Sequence, residues 1–271
     1  MSVRPRSVAV LLWPSLALIG AIAPYALAAQ APDRDTVFFL PVDHVAIRDM
    51  HAVPWIQLAP GIRVHTVVGP RASFSYGEFD SGGVAPLHHH TREQSDVGLS
   101  GVFDVTLGDR VEPLGPGAAL IVPSNVAHSI ANRRGGRMTA VEFHTVPRPD
   151  LVPPRPTTTF PSSVEAIPPP VRPLATMLDT VSESGTTLVG ETTTLRWRRL
   201  ARGSIDLHPT PTSAELFVYL AHGDADLIDG SRTTRLHAGA LIVIPAQSIH
   251  VSLRPVAASS AATFGEFALR P

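Results

Sequence analysis

PGAALIVPSNVAH, residues 116–128, and AGALIVIPAQSIH, residues 238–250, are two versions of one segment. Each reads as a short apolar strand bounded by glycine and proline, with a histidine shortly after the proline. The correspondence extends upstream, where GVFDVTLGD (101–109) lies over GDADLIDGS (223–231). Gly101 aligns with Gly223, Gly108 with Gly230, Gly117 with Gly239, Pro123 with Pro245 and His128 with His250, all at an offset of 122. Chance seldom keeps so many turn residues in register without an insertion, so the chain is read as a duplicated all-β domain.

Around these segments lie runs such as FSYGEFD, SDVGLSGVFDVTLGD, MTAVEFHTV, TTTLRWRRL and LFVYLAHGDADLIDG, each of strand length and broken by Gly, Asn or Asp. Between the halves, PRPDLVPPRPTTTFPSSVEAIPPPVRP is too rich in proline to pair as a central strand or to continue a helix. The expected organisation is a first domain over 36–146, a proline-rich linker over 147–174 and a second domain over 175–271.

With 271 residues the chain has room for two small cores. Its 22 basic and 23 acidic residues nearly cancel, so charge favours neither nucleic acid nor an anionic surface. There is no cysteine. Disulfides, thiol nucleophiles and thiolate metal sites are therefore excluded, and any metal must be held by imidazole, amide or carboxylate groups. At the N-terminus, Arg4 and Arg6 precede the apolar run VAVLLWPSLALIGAIAPYALAA, which ends on Ala26-Leu27-Ala28. This is the pattern of a Sec-type signal peptide over 1–28, removed on export to a periplasm or beyond, which leaves no stable membrane span. The competing reading is an uncleaved anchor, against which Pro14 and Pro24 interrupt the run. The two arginines are not adjacent, so a twin-arginine signal is not supported.

The stretch GGVAPLHHHTREQSDVGLSG (82–101) carries the chemistry. Its spacing is Gly82-x5-His88-x-His90-x3-Gln94-x6-Gly101, and later comes Gly117-x5-Pro123-x4-His128-x3-Asn132. On a strand His88 and His90 share a face and His89 points away. Gln94 can return to that face after a turn, and His128 arrives from a distant strand. Three imidazoles and one oxygen donor suit a divalent first-row metal such as iron, manganese, nickel, copper or zinc, with positions left open. A merely hydrophilic histidine loop is the simpler alternative, weakened by the register of the other motif residues.

These two motifs closely resemble those of the cupin superfamily. The resemblance implies two tandem double-stranded β-helix (jelly-roll) barrels, a bicupin, with one metal in the first. In that pattern a glutamate ligand stands where this chain has Gln94, so the set of ligands here carries no charge and a proton acceptor must come from elsewhere. Asp96, two residues on, is the candidate acid/base or substrate-orienting group, or else a carboxylate hydrogen-bonded at a barrel rim. Gly98 and Ser100 continue its face and would leave space for substrate. Asn125 stands where the pattern prefers glycine, and asparagine tolerates the left-handed conformation. In the second half Thr210, Thr212 and Leu216 replace His88, His90 and Gln94, and Val218 and Leu220 replace Asp96 and Gly98. His250 remains, with His208 nearby, so that barrel is expected to be structural.

The resemblance implies oxygenase, decarboxylase, isomerase or lyase chemistry, since one such site supports many reactions. Three histidines and an open metal fit a dioxygenase acting on a small chelating substrate, an enol or a phenol. Oxalate decarboxylase-like bicupins share the architecture, but their pattern keeps the glutamate in both domains. The other class of reading is a non-catalytic cupin that binds a small molecule or a metal. The resemblance also admits a homodimer.

Overall fold

The structure is a computed structural model that describes residues 43–148, 151, 175–178, 182–207, 214–248, 250–256 and 261–270. The expected signal peptide, most of the linker, and His208, Thr210 and Thr212 lie outside the described residues. Among the described residues there are 21 strands and no α-helix. None of them forms a helix long and apolar enough to cross a membrane.

In the first half a seven-stranded sheet runs in the order β12 (Ala175–Met177), β9 (Ala118–Val122), β6 (Gln94–Ser100), β11 (Met138–His144), β4 (Ser73–Phe79), β3 (Ile62–Val68) and β2 (Trp55–Ala59). A four-stranded sheet runs β5 (Val84–His88), β10 (His128–Ala131), β7 (Phe103–Leu107) and β8 (Arg110–Leu114). Inward residues of both sheets, among them Ile62, Phe79, Phe103, Leu120 and Ile130, fill one core. The second half repeats the plan. Its larger sheet runs β1 (Ala46–Asp49), β19 (Ala240–Ile244), β16 (Leu216–His222), β21 (Ala262–Leu269), β14 (Thr193–Leu200) and β13 (Thr186–Val189). Its smaller sheet runs β15 (Ile205–Asp206), β20 (Val251–Pro255), β17 (Asp224–Asp229) and β18 (Arg232–His237). These are tandem β-barrels.

Two strands cross the boundary expected at 147–174. β1 pairs with β19 of the second barrel, and β12 pairs with β9 of the first. Each barrel thus completes its larger sheet with a short strand from the other half of the chain. The edges of the two sheets at β9 and β19 would otherwise present unpaired N–H and C=O groups.

The two larger sheets pack against each other through a third core, which draws Phe74, Val97, Val141 and Phe143 from the first barrel and Trp197, Phe217, Tyr219 and Phe267 from the second. Phe74 meets Phe267 edge-on at 5.2 Å between ring centroids, and Phe143 meets Phe217 at 5.4 Å. This back-to-back packing explains why LFVYLA in β16 is apolar on both faces: Phe217 and Tyr219 face the other barrel, while Leu216, Val218 and Leu220 fill their own. Phe217 is fully buried in this seam. Replacing it by alanine should lower stability by about 3–5 kcal/mol, the usual cost of removing a buried aromatic ring. Chemical denaturation followed by intrinsic fluorescence measures this; a loss below about 1 kcal/mol would contradict a shared core.

Candidate metal centre

The first barrel brings three of the singled-out histidines together. β5 ends at His88, which stands directly opposite His128 at the start of β10, their ring centroids 4.3 Å apart. His90 is not on a strand. The alternation expected of the HHH run stops at His88, and His90 is placed by a loop that reaches β6 at Gln94. Its backbone carbonyl accepts the N–H of Asn125 at 2.8 Å. Asn125 makes that bond from φ 63°, the left-handed conformation, and Gln247 repeats it at φ 68° in the second barrel. One ring nitrogen from each of His88, His90 and His128 lies within 4.8 Å of the others, so the group can hold a metal ion. His89 stays outside this group, half-buried.

Hydrogen bonds decide which nitrogen each ring offers. His88 Nδ1 lies 2.7 Å from the carbonyl of Pro86, His90 Nδ1 2.6 Å from that of Arg92, and His128 Nδ1 2.9 Å from that of Val126. A carbonyl can only accept, so each Nδ1 carries the proton and each neutral ring turns a bare Nε2 toward its neighbours. Burial holds the rings neutral: it lowers the pKa of His88, brings that of His90 from 6.5 to about 4, and takes that of His128 well below the usual range. His128 Nε2 is buried and has no hydrogen-bond partner among the described residues.

Gln94 joins the group through its side chain. Its Nε2 donates to Asp96 Oδ1 at 2.7 Å, which turns its Oε1 toward His90 Nε2 at 2.9 Å. Two acceptors then face each other across a hydrogen-bond distance with no proton to share. A cation between them relieves that repulsion, and imidazole nitrogen with amide oxygen is a donor set that first-row divalent metals accept. The residues present fit a metal ion on both counts.

Asp96 is fully buried and reaches the group only through Gln94. Its position fits an orienter of the amide better than a base in contact with substrate. It pairs across the sheet with Glu142, and burial followed by the Glu142 charge pushes its pKa well up. The space expected beyond it is not there. A Cβ on Gly98 would overlap the carbonyl of Gly115, whose backbone occupies that position, and Ser100 is exposed and bonded to Thr139 at 2.8 Å.

Sequence reasoning missed His144. It lies opposite Gln94 in the β6–β11 register, fully buried, with its ring 5.6 Å from His90. Neither ring nitrogen has a hydrogen bond among the described residues, and burial holds the ring well below the usual histidine pKa. The signal was present in MTAVEFHTV. Met138 and Ala140 enter the first core while Val141 and Phe143 enter the seam, so alternation puts Glu142 and His144 on the interior face.

A model of the cupin domain matches residues 75–144, from β4 to the end of β11, and so spans all of these side chains. Residues 75–144 thus match a cupin domain, which lies in the first of the two barrels. Among solved structures, AerE from Microcystis aeruginosa is similar at a TM-score of 0.60 and 13% identity, covering 80% of this chain and 97% of its own. Oxalate decarboxylase from Bacillus subtilis, in a structure concerned with its Mn(II) centres, is similar at a TM-score of 0.60 and 13% identity, covering 84% of this chain and 77% of its own. At such identities the likeness is one of fold. No curated protein sequence matches the chain.

The second barrel has nothing equivalent among the described residues. Leu216, Val218 and Leu220 fill its interior beside Ile242, Ile244 and Phe264. His250, which aligns with His128, is exposed at φ 64°, one residue before β20 begins. Replacing His90 or His128 by alanine should abolish metal retention, whereas His250→Ala should leave it unchanged. Metal analysis of untagged protein reads this directly, and equal loss in all three variants would contradict the site.

The depressed histidines also set a pH dependence. Their folded pKa values lie below the unfolded value of 6.5, so their contribution to stability is present above that pH and is lost as pH falls. For His90 the window runs from 6.5 down to about 4. Metal-free protein should therefore lose stability across this range in denaturation experiments, and His90→Gln should flatten the loss. Stability that rises on acidification would contradict buried neutral rings.

Proposed function

We propose that the protein is an exported mononuclear metalloenzyme, a dioxygenase or related oxidoreductase acting on a small chelating enol or phenol. The observation that carries this reading is the neutral donor set: three Nε2 atoms directed inward by their Nδ1–H bonds, and an amide oxygen where the family pattern has a carboxylate. A divalent metal bound there would keep its full positive charge and polarise an oxygen ligand as a Lewis acid. His88, His90 and His128 would hold it, with Gln94 Oε1 as a fourth donor. Asp96 fixes the Gln94 amide in the ligating orientation.

Arg92 and Arg148 strengthen the case for an anionic ligand. After burial, the charges of Arg148 and Arg92 also lower the pKa of His88 and His144. The same positive field favours a deprotonated enolate or phenolate over the neutral compound. His88 is the least buried of the three rings and lies beside the exposed Pro86 and Leu87. The likeness to oxalate decarboxylase is a weaker guide to activity, because Gln94 and Leu216 stand where that family pattern has glutamate. Export is supported by the charged, apolar and small-residue order of residues 1–28.

The test is metal reconstitution followed by oxygen consumption against a panel of enolic and phenolic compounds. Turnover that requires metal and disappears in His128→Ala is expected. Metal bound with no turnover would point instead to a binding protein, and no uptake of iron, manganese, nickel, copper or zinc would overturn the site.

A further inference from the structure

Glu93 is 1% exposed, yet its carboxylate points away from the metal group. It leaves the first barrel and enters the turn between β13 and β14 of the second. Oε2 accepts the N–H of Glu191 at 2.6 Å, while Oε1 accepts the N–H of Thr193 at 2.9 Å and of Thr192 at 3.3 Å. The hydroxyls of Thr193 and Thr192 also donate to Oε1. Successive N–H groups in a turn make a cradle for an anion. Gly190 makes room for it, since a Cβ there would overlap the carboxylate.

The second barrel returns the same contact. Glu215 stands at the offset of 122 from Glu93, and its Oε1 accepts the N–H groups of Arg71 at 2.7 Å and Ala72 at 3.0 Å, in the turn between β3 and β4. Here Gly69 provides the space. The two clamps are alike as interface contacts but differ in the residue that each one anchors. Glu215 precedes Leu216, a core residue, whereas Glu93 precedes Gln94 and closes the loop that carries His90.

Bonds from the first barrel also hold that loop, among them Asn125 N–H to the His90 carbonyl, His90 Nδ1–H to the Arg92 carbonyl, and Thr145 N–H to the Glu93 carbonyl at 3.3 Å. We propose that Glu93 is a positioning residue, through which the second barrel fixes the His90–Gln94 loop and so sets the metal affinity of the first. This rests on His88, His90 and His128 being metal ligands. It gives the second barrel, which has no metal-holding group among the described residues, a part in the site. Groups that orient metal ligands commonly change affinity by about 10- to 100-fold when removed.

The experiment compares Glu93→Gln with Glu215→Gln in the full chain. Each variant puts an amide among N–H donors that had a carboxylate, so both should lose stability to a similar degree. Zn(II) affinity is measured by chelator competition, and hydrogen exchange is followed in the metal-free protein at the amides of Asn125 and Thr145. Glu93→Gln should weaken Zn(II) binding at least about 10-fold and speed exchange at both amides. Glu215→Gln should leave both unchanged and speed exchange only at Arg71 and Ala72.

Wild-type affinity in Glu93→Gln, or equal weakening in Glu215→Gln, would overturn the proposal. If the wild-type chain binds no metal, the metal reading fails by itself, and exchange at Asn125 and Thr145 still decides whether Glu93 holds the loop. Should Glu93→Gln not fold, Thr193→Val removes one hydroxyl donor to the carboxylate and must show the same split.

Discussion

His88, His90 and His128 each give their Nδ1 proton to a backbone carbonyl, and the arrangement of the first barrel around them depends on that gift. Without those bonds the rings could adopt either tautomer, and buried nitrogens would find whatever donors lay nearest. With them, three Nε2 lone pairs are committed to one small space. Burial adds to the commitment by holding the rings neutral, so they are ready to ligate instead of repelling a cation. Gln94, oriented by Asp96, contributes a further lone pair to the same space.

The fold supplies the rigidity that such a group needs. β5 and β10 hold His88 and His128 opposite each other, and β6 carries Gln94 between β9 and β11. The larger sheet behind β6 is backed by the second barrel through aromatic rings of both halves. Exchanged strands β1 and β12 and the paired carboxylates of Glu93 and Glu215 join the barrels at the sheet edges and turns. Duplication thus leaves one barrel with polar interior groups and one with an apolar filling, and the filled barrel braces the other.

Much of this was legible in the sequence, because glycine and proline spacing survives duplication and alternation in short strands marks faces. The repeat at offset 122, the all-β class and the grouping of His88, His90 and His128 all come from such local signals. What could not be read depends on contacts between segments far apart in the chain. Strand exchange leaves no trace in the composition of Ala46–Asp49 or Ala175–Met177. The space expected beside Gly98 is taken by the Gly115 backbone, and His250 turns outward from a left-handed residue that spacing cannot reveal. His144 was within reach, since alternation in β11 already put it inside. Glu93 and Gln94 are adjacent and so turn to opposite sides, but the turn that receives Glu93 lies about a hundred residues on and no motif announces it.

The three rings present bare Nε2 atoms to a common point. Long-range proton–nitrogen NMR of the imidazoles in metal-free protein near neutral pH tests it most directly. His88, His90 and His128 should all be neutral Nδ1–H tautomers, and added Zn(II) should shift the Nε2 resonances of all three. Protonated Nε2 in His90 or His128, or Zn(II) that leaves those resonances unmoved, would contradict it.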